Sequence, residues 1–266
     1  MSKKRLLLCC DMDRTVIPNG DQPESGGSRE LLTDFCSRPE VTFAYVTGRD
    51  RAMVKEAIAS YALPAPDFAM TDVGTVLYRV QDGEWLESPE WMQHISVDWP
   101  GCVHEDVAHW LSDLPGLRLQ EQEKQNNFKV SFYAENASPV LRLDVEGRLQ
   151  RHGLKANVVV SIDESSGTGF VDVLSARANK YHAVRFVQQM LGYDDQEVIF
   201  AGDSGNDLEV LVSPIPAILV GNATEAIRQE ATQKSEAAQT RDRLYLAKAN
   251  YAGGVLEGLQ HFYDHV

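Results

Sequence analysis

The chain has 266 residues, 43% of them hydrophobic and 24% charged, a composition near the globular average that excludes wholesale disorder. Its formal net charge is −14 at pH 7, so nucleic acid and anionic membranes are not expected as partners, because binding them needs clustered Lys and Arg. The four cysteines show no CxxC spacing, and no apolar run reaches the length of a signal-peptide core or the ~18 residues of a membrane span, so we expect a cytoplasmic protein with reduced thiols.

The first part of the chain alternates predicted strands with predicted helices. Leu6 to Cys10 is a short, continuous apolar run, which is typical of a buried strand in a parallel sheet. The periodicity that follows predicts a helix over 28–36, a strand over 41–46, a helix over 50–61 and two short strands over 68–71 and 75–80.

The composition changes near Gly83, after which the sequence is richer in Trp, His and Glu. Here the pattern predicts a helix over 103–111, a strand over 129–133, a helix over 137–152 and a strand over 157–162. Strand, helix and strand in this order indicate a small α/β module. We therefore predict an inserted domain over residues 83–169.

The apolar run from Phe170 to Leu174 predicts the return to the first domain, which then comprises residues 1–82 and 170–266. A helix over 180–191, a strand over 197–201, a further helix, a strand over 217–220 and a helix over 253–263 complete the prediction. Strands that alternate with helices indicate a Rossmann-like parallel sheet with right-handed crossovers. The predicted fold class is thus α/β, with a parallel sheet core and a smaller inserted α/β domain.

Polar residues follow three of the predicted buried strands directly. Asp11, Thr47 and Asp203 each stand where a strand ends, and the carboxyl ends of parallel strands share the edge at which ligands bind. Asp13 and Asp207 add two more acids nearby in sequence. Four converging carboxylates repel one another unless a cation lies among them, and oxygen ligands suit Mg²⁺. We therefore predict a Mg²⁺ site formed from Asp11, Asp13, Asp203 and Asp207.

These motifs together resemble the haloacid dehalogenase superfamily of phosphohydrolases. The residues that carry the resemblance are Asp11-Met12-Asp13-Arg14-Thr15, Thr47-Gly48-Arg49, Lys180 and Gly202-Asp203-Ser204-Gly205-Asn206-Asp207. The insertion resembles the α/β cap, called type IIB, of the sugar-phosphatase branch. The runs Phe128–Tyr133 and Tyr251–Leu259 are similar to sucrose-phosphate phosphatases and to mannosylfructose-phosphate phosphatases.

The resemblance implies a role for each matched residue. Asp11 is expected to attack phosphorus and form an aspartyl-phosphate, while Asp13 acts as acid and then base, with a pKa above that of Asp11. Thr47 and Lys180 are expected to stabilise the transferring oxygens. Asp207 is expected to orient Lys180 or a metal-bound water more than to touch the metal.

Substrate contacts are assigned less directly. Thr47 and its neighbours Gly48 and Arg49 are predicted to bind the phosphate ester, as are Asn206 and two residues of the insertion, Lys129 and Ser131. The last two alternate along one strand and so face the same side, which suits contacts with sugar hydroxyls as well as a solvated sheet face. Arg49 is equally consistent with a surface ion pair.

The predicted function is therefore Mg²⁺-dependent hydrolysis of a small phosphorylated metabolite, most simply a sugar or glycoside phosphate. A phosphomutase that passes the phosphoryl group to another hydroxyl is the first alternative, and a non-catalytic binding protein on the same fold is the second. Two positions depart from the superfamily pattern. Arg14 stands where a small residue is frequent, and Tyr181 follows Lys180 where Gly is common.

Overall fold

A computed structural model of the chain describes residues 5–162 and 166–263. The β-strands of these residues are β1 (Leu6–Cys10), β2 (Val41–Val46), β3 (Phe68–Thr71), β4 (Val76–Gln81), β5 (Glu84–Glu87), β6 (Leu117–Leu119), β7 (Lys129–Ala134), β8 (Ala156–Ile162), β9 (Gly169–Ser175), β10 (Val198–Gly202), β11 (Ala217–Leu219) and β12 (Leu244–Leu246). Their α-helices are α1 (Ser28–Cys36), α2 (Arg51–Tyr61), α3 (Pro89–Ser96), α4 (His104–Leu111), α5 (Pro139–Arg151), α6 (Lys180–Leu191), α7 (Leu208–Leu211), α8 (Glu225–Ala237) and α9 (Tyr251–Phe262).

The chain divides into two compact units, whose described residues are 5–87 and 180–263 in the first and 88–162 and 166–179 in the second. The first unit contains an extended sheet with the strand order β12-β11-β10-β1-β2-β3-β4-β5. The pairs from β12 to β3 are parallel, whereas β4 and β5 are added antiparallel at one edge. The predicted α/β class with a parallel sheet core is confirmed.

Local sequence explains why the elements of this unit begin where they do. All five residues of β1 are buried, as expected for a central strand with a neighbour on each side. The Asp50 side chain accepts a hydrogen bond from the Met53 N–H at 2.8 Å and caps α2. Thr224 caps α8 in the same way through the Ile227 N–H, so this helix of mainly polar residues begins at Glu225.

The second unit is built on an antiparallel sheet with the order β6-β7-β9-β8. Strand β7 alternates, with Val130 and Phe132 in a core that also receives Val107 from α4 and Val145 from α5. Ser131 lies on the opposite face of β7, as its register with Asp172 of β9 requires. One sheet face therefore packs on helices, and the other carries polar side chains.

The division of the chain differs from the predicted boundaries at both ends of the insertion. The predicted start at residue 83 lies in the β4–β5 hairpin of the large sheet. The run from Phe170 to Leu174, predicted to return to the first domain, is part of β9 and pairs with β7 and β8. Its alternation explains the difference, because Val171 and Val173 are buried and Asp172 lies on the other face, a pattern typical of antiparallel sheets.

Among the described residues, no helix combines the length and the apolar character needed to cross a lipid bilayer.

Candidate active site

Asp11 lies at the carboxyl end of the central strand β1 and is only 5% exposed. Its backbone N–H donates to the Ala201 carbonyl of β10 at 2.9 Å, so the parallel pairing continues through the first residue after the strand. The Lys180 Nζ atom lies 2.9 Å from Asp11 Oδ1. The predicted nucleophile is therefore buried, rigidly held and paired with a cation.

Lys180 is the first residue of α6 and bridges two carboxylates. Besides Asp11, it contacts Asp207 Oδ1 at 2.7 Å. The other oxygen of Asp207 accepts hydrogen bonds from the backbone N–H groups of Asp203 and Ser204, both at 3.0 Å. A Cβ atom on Gly202 would lie 2.5 Å from the Asp207 carboxyl carbon. Glycine therefore leaves room for the Asp207 side chain to fold back beside Lys180, and its predicted role in orienting Lys180 stays a prediction.

Three carboxylates meet beside this lysine. Among the residues that the structure describes, Asp11, Asp203 and Asp207 form a buried group with one oxygen from each within 4.8 Å of the others. Both oxygens of Asp207 are already engaged, which leaves Asp11 and Asp203 as the carboxylates best placed for a metal ion. The donors are hard oxygens, as Mg²⁺ prefers.

The electrostatics of the group are those of crowded, buried acids. Burial raises the pKa of Asp11 to about 7, with the Lys180 ammonium acting against the shift and the Asp207 charge adding to it. Burial and the Asp207 charge raise the pKa of Asp203 to about 6. Burial disfavours the Lys180 ammonium, but the charges of Asp11 and Asp207 outweigh it and raise its pKa. A divalent cation among these groups would relieve the repulsion between the carboxylates.

Asp13 is held apart from the three carboxylates. Arg49 donates to both of its oxygens, at 2.8 and 2.6 Å, and the Asn19 Nδ2 donates to one of them at 2.7 Å. Burial alone would raise the pKa of Asp13, but the hydrogen bonds and charge of Arg49 outweigh it and lower the pKa. The expectation that the pKa of Asp13 exceeds that of Asp11 is therefore wrong for this structure. The reasons are the burial of Asp11, which raises its pKa, and the Arg49 contact with Asp13, which the sequence did not show.

A cavity of about 300 Å³ brings the motifs together within the first unit. Its lining consists of Asp11, Asp13, Arg14, Gly48, Arg49, Met53, Asp203, Ser204 and Asn206. Thr47 directly precedes this lining and is 1% exposed, and its hydroxyl oxygen accepts a hydrogen bond from the Arg49 N–H at 3.2 Å. Three strand ends thus contribute to one polar cavity, as the sequence predicts.

The two remaining predicted contacts, Lys129 and Ser131, belong to β7 of the second unit. Both are buried, at 9% and 2% exposure, and the Ser131 hydroxyl donates to the Asp172 carboxylate. Their burial is not that of a fully solvated sheet face. Their role in binding a sugar stays a prediction.

Two residues that contact the carboxylates of the site were not assigned a role from the sequence. Arg14 places its Nε atom 3.2 Å from Asp203 Oδ2, and Asn19 contacts both the Arg14 N–H and Asp13. Arg14 stood out only as a departure from the superfamily pattern, and Asn19 was not singled out. No spacing in the sequence indicates which carboxylate each would contact.

Comparison with known families decides where this site belongs. The family model described as sucrose-6F-phosphate phosphohydrolase matches residues 4–263. The chain belongs to this family. The resemblance to haloacid dehalogenase superfamily sugar phosphatases is thereby confirmed, and the family is one of phosphoric monoester hydrolases, the predicted enzyme class.

Individual proteins are also similar to this chain over nearly its whole length. A protein of Nitrosococcus oceani, named as a HAD-like hydrolase, is 44% identical over 98% of this chain and 72% of its own length. Mannosylfructose-phosphate phosphatase of Agrobacterium fabrum is 26% identical over 96% of both chains. The chain spans 60% of the length of the tobacco sucrose-phosphatases that it matches.

A solved structure gives the same result for the fold. The sucrose-phosphatase of Synechocystis, described in complex with sucrose and phosphate, aligns with a TM-score of 0.76. It is 27% identical and covers 97% of this chain and 98% of its own.

Proposed function

We propose that the protein is a Mg²⁺-dependent phosphatase that hydrolyses the phosphate monoester of a sugar or glycoside, with Asp11 as the nucleophile. The observation that carries the proposal is the buried Asp11 carboxylate, which Lys180 contacts at 2.9 Å and which lies beside Asp203 in a polar cavity. A carboxylate held in this way at a strand end can attack a phosphorus atom bound in the cavity.

The reaction takes place in two displacements. An Asp11 carboxylate oxygen forms a bond to phosphorus while the bond from phosphorus to the sugar oxygen breaks, and the sugar oxygen takes the bonding electron pair and a proton from Asp13. A water molecule then gives a proton to Asp13 and attacks the same phosphorus, and the bond from phosphorus to Asp11 breaks. Alcohol and inorganic phosphate are released, and both aspartates return to their starting state.

Asp13 can take part only after its contact with Arg49 has loosened, because the ion pair favours the carboxylate over the acid. A bound phosphate offers Arg49 a competing anion of higher charge, and a guanidinium binds phosphate through paired hydrogen bonds. Substrate binding can therefore release the Asp13 carboxylate, which takes up a proton from solvent and then acts as the acid. This gives Arg49 a role in the reaction rather than in a surface ion pair.

The remaining polar groups stabilise charge on the transferring oxygens. The Thr47 hydroxyl accepts from the Arg49 N–H, and a hydroxyl that accepts a hydrogen bond still has its own hydrogen to donate. Lys180 supplies a fixed positive charge that Asp207 holds in place. Gly48 and Asn206 line the cavity and are our further candidates for contacts with the phosphate.

The donor set fits Mg²⁺. Asp11 and Asp203 would hold the ion through carboxylate oxygens, and the backbone carbonyl of Asp13 is our third candidate ligand. When bound, Mg²⁺ supplies positive charge that reduces the repulsion between an anionic nucleophile and an anionic phosphate. Asp207 serves the site through Lys180, since both of its oxygens are occupied by other donors.

The substrate class rests on the family and on two of its named relatives, one a sucrose-phosphatase and the other a mannosylfructose-phosphate phosphatase. We infer that a phosphorylated disaccharide or hexose is the substrate, with Lys129 and Ser131 as candidate contacts for its hydroxyls. Hydrolysis is favoured over phosphoryl transfer to a second hydroxyl because the matching family is one of phosphohydrolases.

Phosphate release tests the proposal directly. We expect release from at least one of sucrose 6-phosphate, mannosylfructose phosphate, trehalose 6-phosphate and glucose 6-phosphate in the presence of MgCl₂, and its loss with EDTA. Asp11→Asn and Asp13→Asn should each abolish release, whereas the exposed control Asp242→Asn should not. Appreciable turnover by Asp11→Asn would refute the covalent route. Formation of a sugar bisphosphate without free phosphate would identify a mutase instead.

A further inference from the structure

Asn222 is a buried residue of the first unit that has no assigned role in the reaction. It lies in the turn after β11 and is 4% exposed. The preceding residue, Gly221, donates its backbone N–H to the Ala249 carbonyl at 2.8 Å. A Cβ atom on Gly221 would lie 2.3 Å from the Lys248 carbonyl oxygen. The turn is therefore pressed against the backbone that precedes α9, which fixes the position of Asn222.

Both halves of the Asn222 amide are used. The Nδ2 group donates to the Arg14 carbonyl at 2.6 Å, and the Oδ1 atom accepts from the Tyr251 N–H at 2.9 Å. In a buried setting these are bonds that water cannot easily replace. The side chain thus joins the first residue of α9 to the loop that follows Asp13.

The Arg14 backbone depends on this bond. Its φ angle is 58°, in the left-handed region that is disfavoured for a residue with a Cβ atom. The Arg14 N–H donates to Asn19 Oδ1 at 2.8 Å, and Asn222 holds the carbonyl on the other side. The conformation is therefore held from both ends of the residue.

The same contacts continue to the proposed acid. Asn19 uses its Oδ1 for Arg14 and its Nδ2 for the Asp13 carboxylate, at 2.7 Å. If Arg14 relaxed to an ordinary backbone conformation, Asn19 would lose its acceptor role and Asp13 its orientation. Proton transfer requires the acid within hydrogen-bond reach of the leaving oxygen, so a small displacement is costly.

We propose that Asn222 is a positioning residue: its amide fixes the Arg14 backbone and thereby the orientation of Asp13. The effect on catalysis rests on the proposed function, in which Asp13 protonates the leaving group. The effect on the loop does not depend on that function.

Two variants distinguish the two hydrogen bonds of the Asn222 amide. Asn222→Asp keeps an acceptor for the Tyr251 N–H but cannot donate to the Arg14 carbonyl, whereas Asn222→Ala removes both bonds. Asn250→Ala is a matched control. Asn250 directly precedes α9, and its Nδ2 also donates to a backbone carbonyl, that of Pro23, at 2.9 Å. It does not contact Arg14 in the described part of the chain.

The activity test compares two leaving groups. p-Nitrophenolate needs little protonation, whereas a sugar alkoxide needs a proton as it departs. In Asn222→Asp, kcat/KM for sucrose 6-phosphate, or for whichever sugar phosphate the wild type prefers, should fall about 30-fold or more, and kcat/KM for p-nitrophenyl phosphate less than about threefold. Asn250→Ala should change neither by more than about twofold. Equal losses with both esters would indicate a merely structural role and overturn the proposal.

Hydrogen exchange gives a readout that does not need activity. The Arg14 amide should exchange at least about tenfold faster in Asn222→Asp and in Asn222→Ala than in the wild type. Its exchange rate should be unchanged in Asn250→Ala. If wild-type protein releases no phosphate from any ester, the proposed function fails, yet faster Arg14 exchange in the variants still supports the positioning of the loop. Unchanged Arg14 exchange in Asn222→Asp overturns the inference whatever the activity.

Discussion

Replacing Lys180 with Met removes the cation from the centre of the site. The ammonium is 3% exposed and contacts Asp11 and Asp207 at 2.9 and 2.7 Å. Breaking a buried ion pair by removing one partner costs about 3–5 kcal/mol, because the other charge is left without compensation. Here two carboxylates are left, with Asp203 close by. We therefore expect the free energy of unfolding to fall by at least about 3 kcal/mol.

The assay is urea unfolding followed by circular dichroism in EDTA at pH 8. For a protein of this size the same loss corresponds to a fall of about 6–20 °C in Tm. Lys234→Met is the matched control, because Lys234 also lies near a carboxylate, that of Glu230 at 2.7 Å, but is 55% exposed. It should cost less than about 1 kcal/mol.

A second substitution tests the cause of the loss. Adding Asp207→Asn to Lys180→Met removes one of the two uncompensated charges, so the double variant should be more stable than the sum of the single changes predicts. If Lys180→Met cost no more than Lys234→Met, or if the two changes at the site were simply additive, the description of a mutually dependent ion cluster would be wrong.

Three further outcomes follow from other parts of the structure. Burial alone would raise the pKa of Glu257, but hydrogen bonds from backbone N–H groups outweigh it and lower the pKa. The Glu257 carboxylate therefore stabilises the fold above the ordinary carboxyl pKa, and this contribution is lost as pH falls through the pKa of the folded state. Urea unfolding should accordingly show Glu257→Gln less stable than wild type at pH 7, with the difference shrinking towards acid; a difference that grows would contradict this. Gly202→Ala should lose about 1–3 kcal/mol and most of the activity, because the new methyl group would overlap the Asp207 carboxyl. Lys129→Ala and Ser131→Ala should each lower kcat/KM for sugar phosphates by about tenfold and leave kcat/KM for p-nitrophenyl phosphate little changed. Equal losses of kcat/KM with both esters would contradict their proposed role.

The site could be predicted largely because its residues follow continuous apolar strands. Leu6 to Cys10 is buried throughout, so Asp11 had to lie at the edge of the sheet, and the same reasoning placed Thr47 and Asp203 beside it. Sequence periodicity also indicated α6, which begins at Lys180. These features depend on local pattern and on a general rule for parallel sheets.

The features that could not be predicted depend on side chains that meet across loops. Burial raises the pKa of Asp11, and the contact of Arg49 with Asp13 lowers that of Asp13, which together reverse the expected order; the Arg49 contact has no sequence signature. The pairing of Arg14 with Asp203 has none either. The assignment of Phe170–Leu174 to the first domain followed from its apolar character, since Asp172 alone interrupts the run; its burial alternates only in the structure, where it pairs antiparallel with β7 and β8.

The position of β1 in the middle of the large sheet has a consequence for how the protein is made. Leu7 pairs with Thr42 on one side but with Val198 on the other, so the second partner of β1 emerges from the ribosome long after the first. At ~5–20 residues per second, the chain between these two partners takes about 8–30 s to synthesise. During that interval a wholly apolar strand has one unpaired edge, which is a template for aggregation. The proposed nucleophile at its end is therefore synthesised well before Lys180 and the acids that complete the site. Folding of the first unit is expected to finish only when the last third of the chain has been translated.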